Sequence, residues 1–189
     1  MKNLGVKLLV AGLCVLGFAS ATVRADDDDV IHLRARLTGF QEVAPKNTTA
    51  TGTFAATISE DRKTITWTVS WANLSGPPIQ SHIHIGQKGV NGAIMVFFCG
   101  AAANPPNTKG PCPQLTSATI SGTIVAADII PIDSPAPPGQ GFTNGDLADV
   151  IRYILAGDGY ANVHTAKYPS GEIRGQIRVR PNDDEHDRD

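Results

Sequence analysis

The sequence predicts an all-β domain, an antiparallel Greek-key sandwich or barrel carrying one short covering helix. Three observations carry that prediction. Apolar and polar residues alternate in run after run, turn residues separate the runs, and a single segment has helical spacing. The composition agrees: 41% of the 189 residues are hydrophobic and 6% aromatic, with 19 glycines and 13 prolines, which suits short strands and frequent turns.

The alternation begins at "IHLRARL", where Ile31, Leu33, Ala35 and Leu37 share one face and His32, Arg34 and Arg36 the other. "TITWTVSW" repeats it with Ile65, Trp67, Val69 and Trp71. "ATISGTIV" and "GEIRGQIRV" continue it at Ala118, Ile120 and Ile124, and at Ile173, Ile177 and Val179. "SEDRK", "LSGPP" and "GQKGVNG" supply turns between such runs. Seven to nine short strands at this spacing fit a sandwich or barrel. The exception is "TNGDLADVIRYILAGDG", in which Leu147, Val150, Ile151, Ile154 and Leu155 form one helical stripe. Thr143 or Asn144 can cap its start and Gly157 can end it. The Pro-rich "PIDSPAPPGQG" ahead of it reads as a loop on the outside of the sheet.

Residues 1–25 read as a signal peptide: Lys2 and Lys7, then the apolar run Leu8 to Ala19, then small-residue cleavage patterns at "ASA" and "VRA". The run is too short for a comfortable bilayer span, so the mature form is expected to be secreted or periplasmic, with no transmembrane anchor. An acidic segment (26–29), one β domain (30–180) and a charged tail (181–189) follow. Cleavage after Ala25 leaves 13 basic against 18 acidic residues, with the acidity concentrated in "DDDD" and "DDEHDRD". No basic patch interleaved with aromatics points to nucleic acid. Cys14 leaves with the signal, so Cys99 and Cys112 remain as an even pair, expected to form a disulfide in an oxidising compartment.

The stretch "SHIHIG" places two of the chain's five histidines one residue apart. On a strand, His82 and His84 face one way and Ser81, Ile83 and Ile85 the other. On "YANVH", Tyr160, Asn162 and His164 share a face. If the two strands are neighbours, three imidazoles converge, a donor set suited in an oxidising setting to copper first and zinc second, with open positions for water or a substrate. A His-x-His on a half-exposed strand is equally a pair of surface residues, and both readings stay open. Asn162 is a candidate to orient His164. Glu172 is a candidate partner for a histidine, or for Arg174 in a same-face ion pair. His32, beside Arg34 and Arg36, and His186, in the tail, read as surface residues. No Gly-x-Ser-x-Gly elbow and no spaced carboxylate pair supports a hydrolase.

In order along the chain, "GFQEVAP", "ATGTF", "HIHIG", "GVNGAI" and "NVHT" with "YPSGEIRGQ" resemble the CHRD (chordin) domain family, from about Leu37 to Val179. That resemblance implies a secreted β domain. A weaker resemblance links "HIHIG", a later "VH" and "GEIRG" to the copper site of copper-zinc superoxide dismutases. It implies His82, His84 and His164 as copper ligands and Arg174 as a catalytic guanidinium steering a small anion to the metal. No fourth ligand histidine and no zinc cluster accompanies them. Three readings follow: an exported copper-binding domain, a copper-only enzyme acting on superoxide, and a metal-free extracellular adhesion or protein-interaction module.

Overall fold

The computed structural model describes residues 30–100, 109–130 and 146–180. The signal segment, the acidic ends, His186, the Pro-rich loop and the proposed caps Thr143 and Asn144 lie outside them. The described residues form strands β1 (Ile31–Thr38), β2 (Thr51–Ile58), β3 (Ile65–Ala72), β4 (Pro78–Ile85), β5 (Ile94–Gly100) and β6 (Ala118–Ile124). Helix α1 (Leu147–Leu155) follows, then β7 (Gly159–Thr165), β8 (Ile173–Gln176) and β9 (Arg178–Val179). Every pairing is antiparallel, in the order β5-β4-β7-β8-β1-β2-β3-β6, with β9 beside β1. The result is one nearly closed, barrel-like sheet with a single α-helix among the described residues.

Its interior is built by the predicted alternation. Leu33, Ala35 and Leu37 on β1, Ile65, Trp67, Val69 and Trp71 on β3, and Phe54, Ile83, Val163 and Ile173 from neighbouring strands are all buried. Phe98 joins the layers, its ring 4.6 Å from that of Trp67 and 5.6 Å from that of Phe54. Burying the apolar faces of these strands is the main force holding the sheet closed. Two apolar positions depart from the expected stripes. Val179 is 45% exposed, because β9 is a two-residue strand at the end of the fold, and Leu155 is 37% exposed in the last turn of α1. The helix buries Leu147, Val150, Ile151 and Ile154 instead. Its cap is Asp146, whose carboxylate accepts the Ala148 amide at 2.8 Å, and Gly157 follows its end at φ +84°.

The disulfide between Cys99 and Cys112 forms as expected, and it does more than close a loop. Cys99 sits on edge strand β5, and the segment after Lys109 runs to the other edge strand, β6. Along the way the Gly100 amide donates to Gly110 O (2.7 Å) and Lys109 Nζ to Thr123 O (2.7 Å), and beyond β6 the Ile130 amide returns to Met95 O on β5 (2.9 Å). The bridge therefore staples the seam where the sheet fails to close.

Candidate metal centre

Strands β4 and β7 are neighbours, and their register pairs Gln80 with His164, His82 with Asn162 and His84 with Tyr160. His164 is thus diagonal to His82 on the same face, within reach of a side chain. The opposite face, with Ile83, Ile85, Ala161 and Val163, points into the barrel core. The histidines therefore lie on the outside of the barrel, yet they are not on the surface. Loops after β1, β4 and β7, together with Phe97 of β5, cover them: His82 is fully buried, His164 is 5% exposed and Asn162 2%. The pairing of β4 with β5 slips between Ser81 and His82 and again between Ile83 and His84. The ring centroids of His82 lie 4.3 Å from His84 and 4.5 Å from His164, closer than one strand repeat.

One ligand nitrogen from each of His82, His84 and His164 lies within 4.8 Å of the others. Bonds of about 2.1 Å to a shared ion would put such nitrogens about 4.2 Å apart or less, so a slight tightening of the rings suffices. The hydrogen bonds fix which nitrogens are available. His84 Nδ1 donates to the Gly92 carbonyl at 2.8 Å, and His164 Nδ1 to the Pro169 carbonyl at 3.0 Å. A carbonyl only accepts, so each Nδ1 carries the proton and each Nε2 presents its lone pair inward. Those two Nε2 atoms and both nitrogens of His82 are buried without a partner. Each such atom costs about 1–3 kcal/mol unless something satisfies it.

Burial also keeps the three rings neutral. Burial and then the neighbouring His84 and His164 hold His82 well below the ordinary histidine range. Burial brings His84 down to about 4, against the opposing pull of the Gly92 carbonyl, and lowers His164 as well. Neutral imidazole is the form that ligates a metal.

Two buried charged residues hold the loops that supply those carbonyls. Arg174 donates to Asn91 Oδ1 (3.0 Å), Gln87 O (3.3 Å) and Val90 O (2.6 Å), which pins the 87–92 loop. Its guanidinium lies 3.4 Å from the Tyr160 ring centre, and Tyr160 stacks on His84 at 4.6 Å and 13°. The Gly92 amide donates to the Tyr160 hydroxyl at 3.2 Å, and a Cβ on Gly92 would meet Ile85 O at 1.5 Å, so only glycine brings this backbone so close. Glu172 does not pair with Arg174, nor does it touch a histidine nitrogen. Its carboxylate accepts from Thr48 Oγ1 (2.8 Å), Ser75 N (2.9 Å), Ser75 Oγ (2.7 Å) and Thr165 Oγ1 (2.7 Å), tying the hairpin that carries Pro169 to two other loops. Burial alone would push this carboxyl up; the bonds from Thr165, Ser75 and Thr48 outweigh it and hold the carboxyl below its usual range.

Asn162 does not orient His164: its amide donates to Glu42 Oε1 (2.6 Å) and Ile173 O (2.9 Å). Sequence reasoning passed over Glu42, which is 3% exposed and whose pKa burial raises to about 7, against the Asn162 hydrogen bond and the charges of Arg174 and Lys46. It also passed over Gly92. They sit inside "GFQEVAP" and "GVNGAI", and the acid just ahead of the apolar run Val43-Ala44-Pro45 was the available signal for Glu42. His32, by contrast, is exposed on β1, as expected.

The family model of the CHRD domain matches residues 33–177. The chain belongs to the CHRD domain family. That span of the CHRD domain contains all three histidines, Arg174, Glu172, Glu42 and both disulfide cysteines. No curated protein and no solved structure matches the chain. No helix among the described residues is long and apolar enough to cross a membrane.

Proposed function

We propose that this CHRD domain is an exported copper-binding protein that holds one copper ion on His82, His84 and His164, and that the bound ion reacts with superoxide. The observation that carries the reading is the set of four buried, partnerless imidazole nitrogens on three neutral rings that share one small space. A metal ion that accepts one lone pair from each ring would satisfy three of those four nitrogens, leaving only the N–H of His82. Among divalent first-row metals an all-nitrogen site binds copper most strongly, and zinc is second choice. The disulfide supports an oxidising compartment, secreted or periplasmic.

A copper ion in this site would supply one-electron exchange, oxidising one superoxide to O2 and reducing a second, with two protons, to hydrogen peroxide. The residues around it supply charge and order. Three neutral ligands leave the ion its full charge, which attracts an anion to the remaining coordination position. Arg174 adds a fixed positive charge one ring behind His84, and because its donors are engaged by the 87–92 loop it acts through potential rather than by contact.

Metal analysis of the disulfide-intact protein, followed by copper titration, tests binding; one tightly held copper per chain is expected. Absence of any tight site would leave the metal-free interaction module as the reading. Superoxide decay in the presence of the copper-loaded protein tests the second half, and a rate no faster than without protein would leave copper binding or storage alone.

A further inference from the structure

We infer a second site, distinct from the histidine cluster: an oxyanion-binding cleft on the open face of β1, β2 and β9. The register builds it. One row of outward side chains runs from Arg180, whose amide bonds His32 O at 2.8 Å, through His32 to Thr57 and Thr66. The next row runs from Arg178 through Arg34 to Ala55 and Thr68. Ala55 has no side chain beyond Cβ to fill the space between Arg34 and Thr68, and a cleft of about 280 Å³ opens there. It is lined by His32, Arg34, Arg180, Thr57 and Thr66, and among the described residues no carboxylate contributes to its wall.

The charge arrangement is what asks for a ligand. Arg34 lies directly opposite Arg178, a like-charged cross-strand pair that disfavours the sheet. Arg178 turns its guanidinium to Gly157 O (3.1 Å), at the end of α1. Arg34 and Arg36 have no carboxylate within ion-pair distance among the described residues. This occurs in a chain whose formal net charge is −2, so the positive face is local rather than a general excess. A guanidinium fork, an imidazole and two hydroxyls around one hollow match the oxygens of a phosphate, sulfate or carboxylate group. None of the described residues of β1, β2 and β9 on this face is a Phe, Tyr or Trp on which nucleic-acid bases could stack. The ligand class is therefore an oxyanion group, either free or borne on an acidic polysaccharide.

Amide chemical shifts of the full chain, followed during titration with inorganic phosphate and separately with a short heparin fragment, test the site. Saturable shifts at Arg34, Ala55 and Thr57 are expected, weakening as salt rises. Arg34→Ala, an exposed substitution, should reduce affinity about tenfold or more, the scale of one charge-assisted hydrogen bond. Tighter binding of heparin than of phosphate through these residues identifies a polymer-borne group, and equal binding a free ion. The inference is overturned if neither probe saturates, if Arg34→Ala changes nothing, or if shifts arise only after the acidic segments 26–29 and 183–189 are deleted. That last result would make the chain's own tails the occupant.

Discussion

His32 and His82 occupy equivalent places, outward-facing positions on strands of one barrel, and they live in opposite environments. His32 on β1 is exposed, its Nδ1 3.4 Å from the Thr57 hydroxyl. His82 on β4 is fully buried with neither ring nitrogen partnered. The difference extends to the whole sheet. Over β1, β2, β3 and β6 the outer face is open, carrying Arg34, Thr53 and the hydroxyl pairs Thr68–Ser121 (2.9 Å) and Ser70–Thr119 (2.8 Å). Over β4, β7 and β8 it is roofed by loops, and beneath them lie His82, Asn162, His164, Glu42, Glu172 and Arg174. Polar groups on the open side are satisfied by water at little cost. Those on the roofed side must be satisfied by each other, and among the described residues they are, except the inward nitrogens of the histidines. The covered face is where a binding function has something to gain.

Arg174→Ala should give the largest loss of stability, because it removes a buried cation, its three hydrogen bonds to the 87–92 loop and its stack on Tyr160. Roughly 3–4 kcal/mol is expected from urea unfolding of the metal-free protein. Once folded and copper-loaded, this variant should still bind the metal but react more slowly with superoxide, most visibly at low salt. If Arg174→Ala unfolds at the same urea concentration as the parent, the roof is not held as described.

The contrast between the two faces also marks what the sequence makes legible. The barrel interior was readable because its signal is period two, and Leu33, Val69 or Ile173 needs only to be apolar and in phase. The grouping of His82, His84 and His164 was readable because strand geometry puts alternate residues on one face and adjacent strands about 4.8 Å apart. The disulfide followed from an even cysteine count. What period two cannot distinguish is a polar residue facing water from one facing a loop, so "HIHI" and "RAR" look alike. The roof is made by long-range contacts such as Ser75 to Glu172 and Asn91 to Arg174, which no local pattern encodes. The expected Glu172–Arg174 ion pair failed for the same reason: each is recruited by a different distant loop.

Gly92→Ala is the next test of the roof and acts on one ligand. The added Cβ must push the loop away from Ile85 O, and His84 Nδ1 then loses its acceptor. Copper affinity should fall about 10- to 100-fold, the usual scale for losing a hydrogen bond that orients a ligand. Titration with copper measures it, and an unchanged affinity would mean that the Gly92 carbonyl does not orient His84.

A smaller effect separates the buried groups by pH. Glu42 has a folded pKa of about 7, above its unfolded value, so the folded state holds a proton that the unfolded state releases. Its contribution is present below the unfolded value of about 4.3 and is lost as pH rises through 7. The histidines run the other way: their folded values lie below about 6.5, so their contribution is full above that pH and is lost as pH falls through the folded value of His84, about 4. Glu42→Gln keeps an acceptor for Asn162 and removes only the first slope. Above pH 7 it should be more stable than the parent, converging with it in acid, as read from urea midpoints across pH. Equal stability above pH 7 would show that the buried carboxyl is not held protonated.

The most direct measurement is copper titration of the disulfide-intact protein and of its His82→Ala, His84→Ala, His164→Ala and His32→Ala variants, with electron paramagnetic resonance reading the nitrogen ligands. The parent and His32→Ala should each bind one copper with three-nitrogen coordination, and each of the other three variants should lose affinity by more than about 100-fold, beyond the usual loss for an orienting partner alone. Unchanged copper binding in His84→Ala, or equal losses in His32→Ala and His82→Ala, would contradict a metal centre under the roof of β4 and β7.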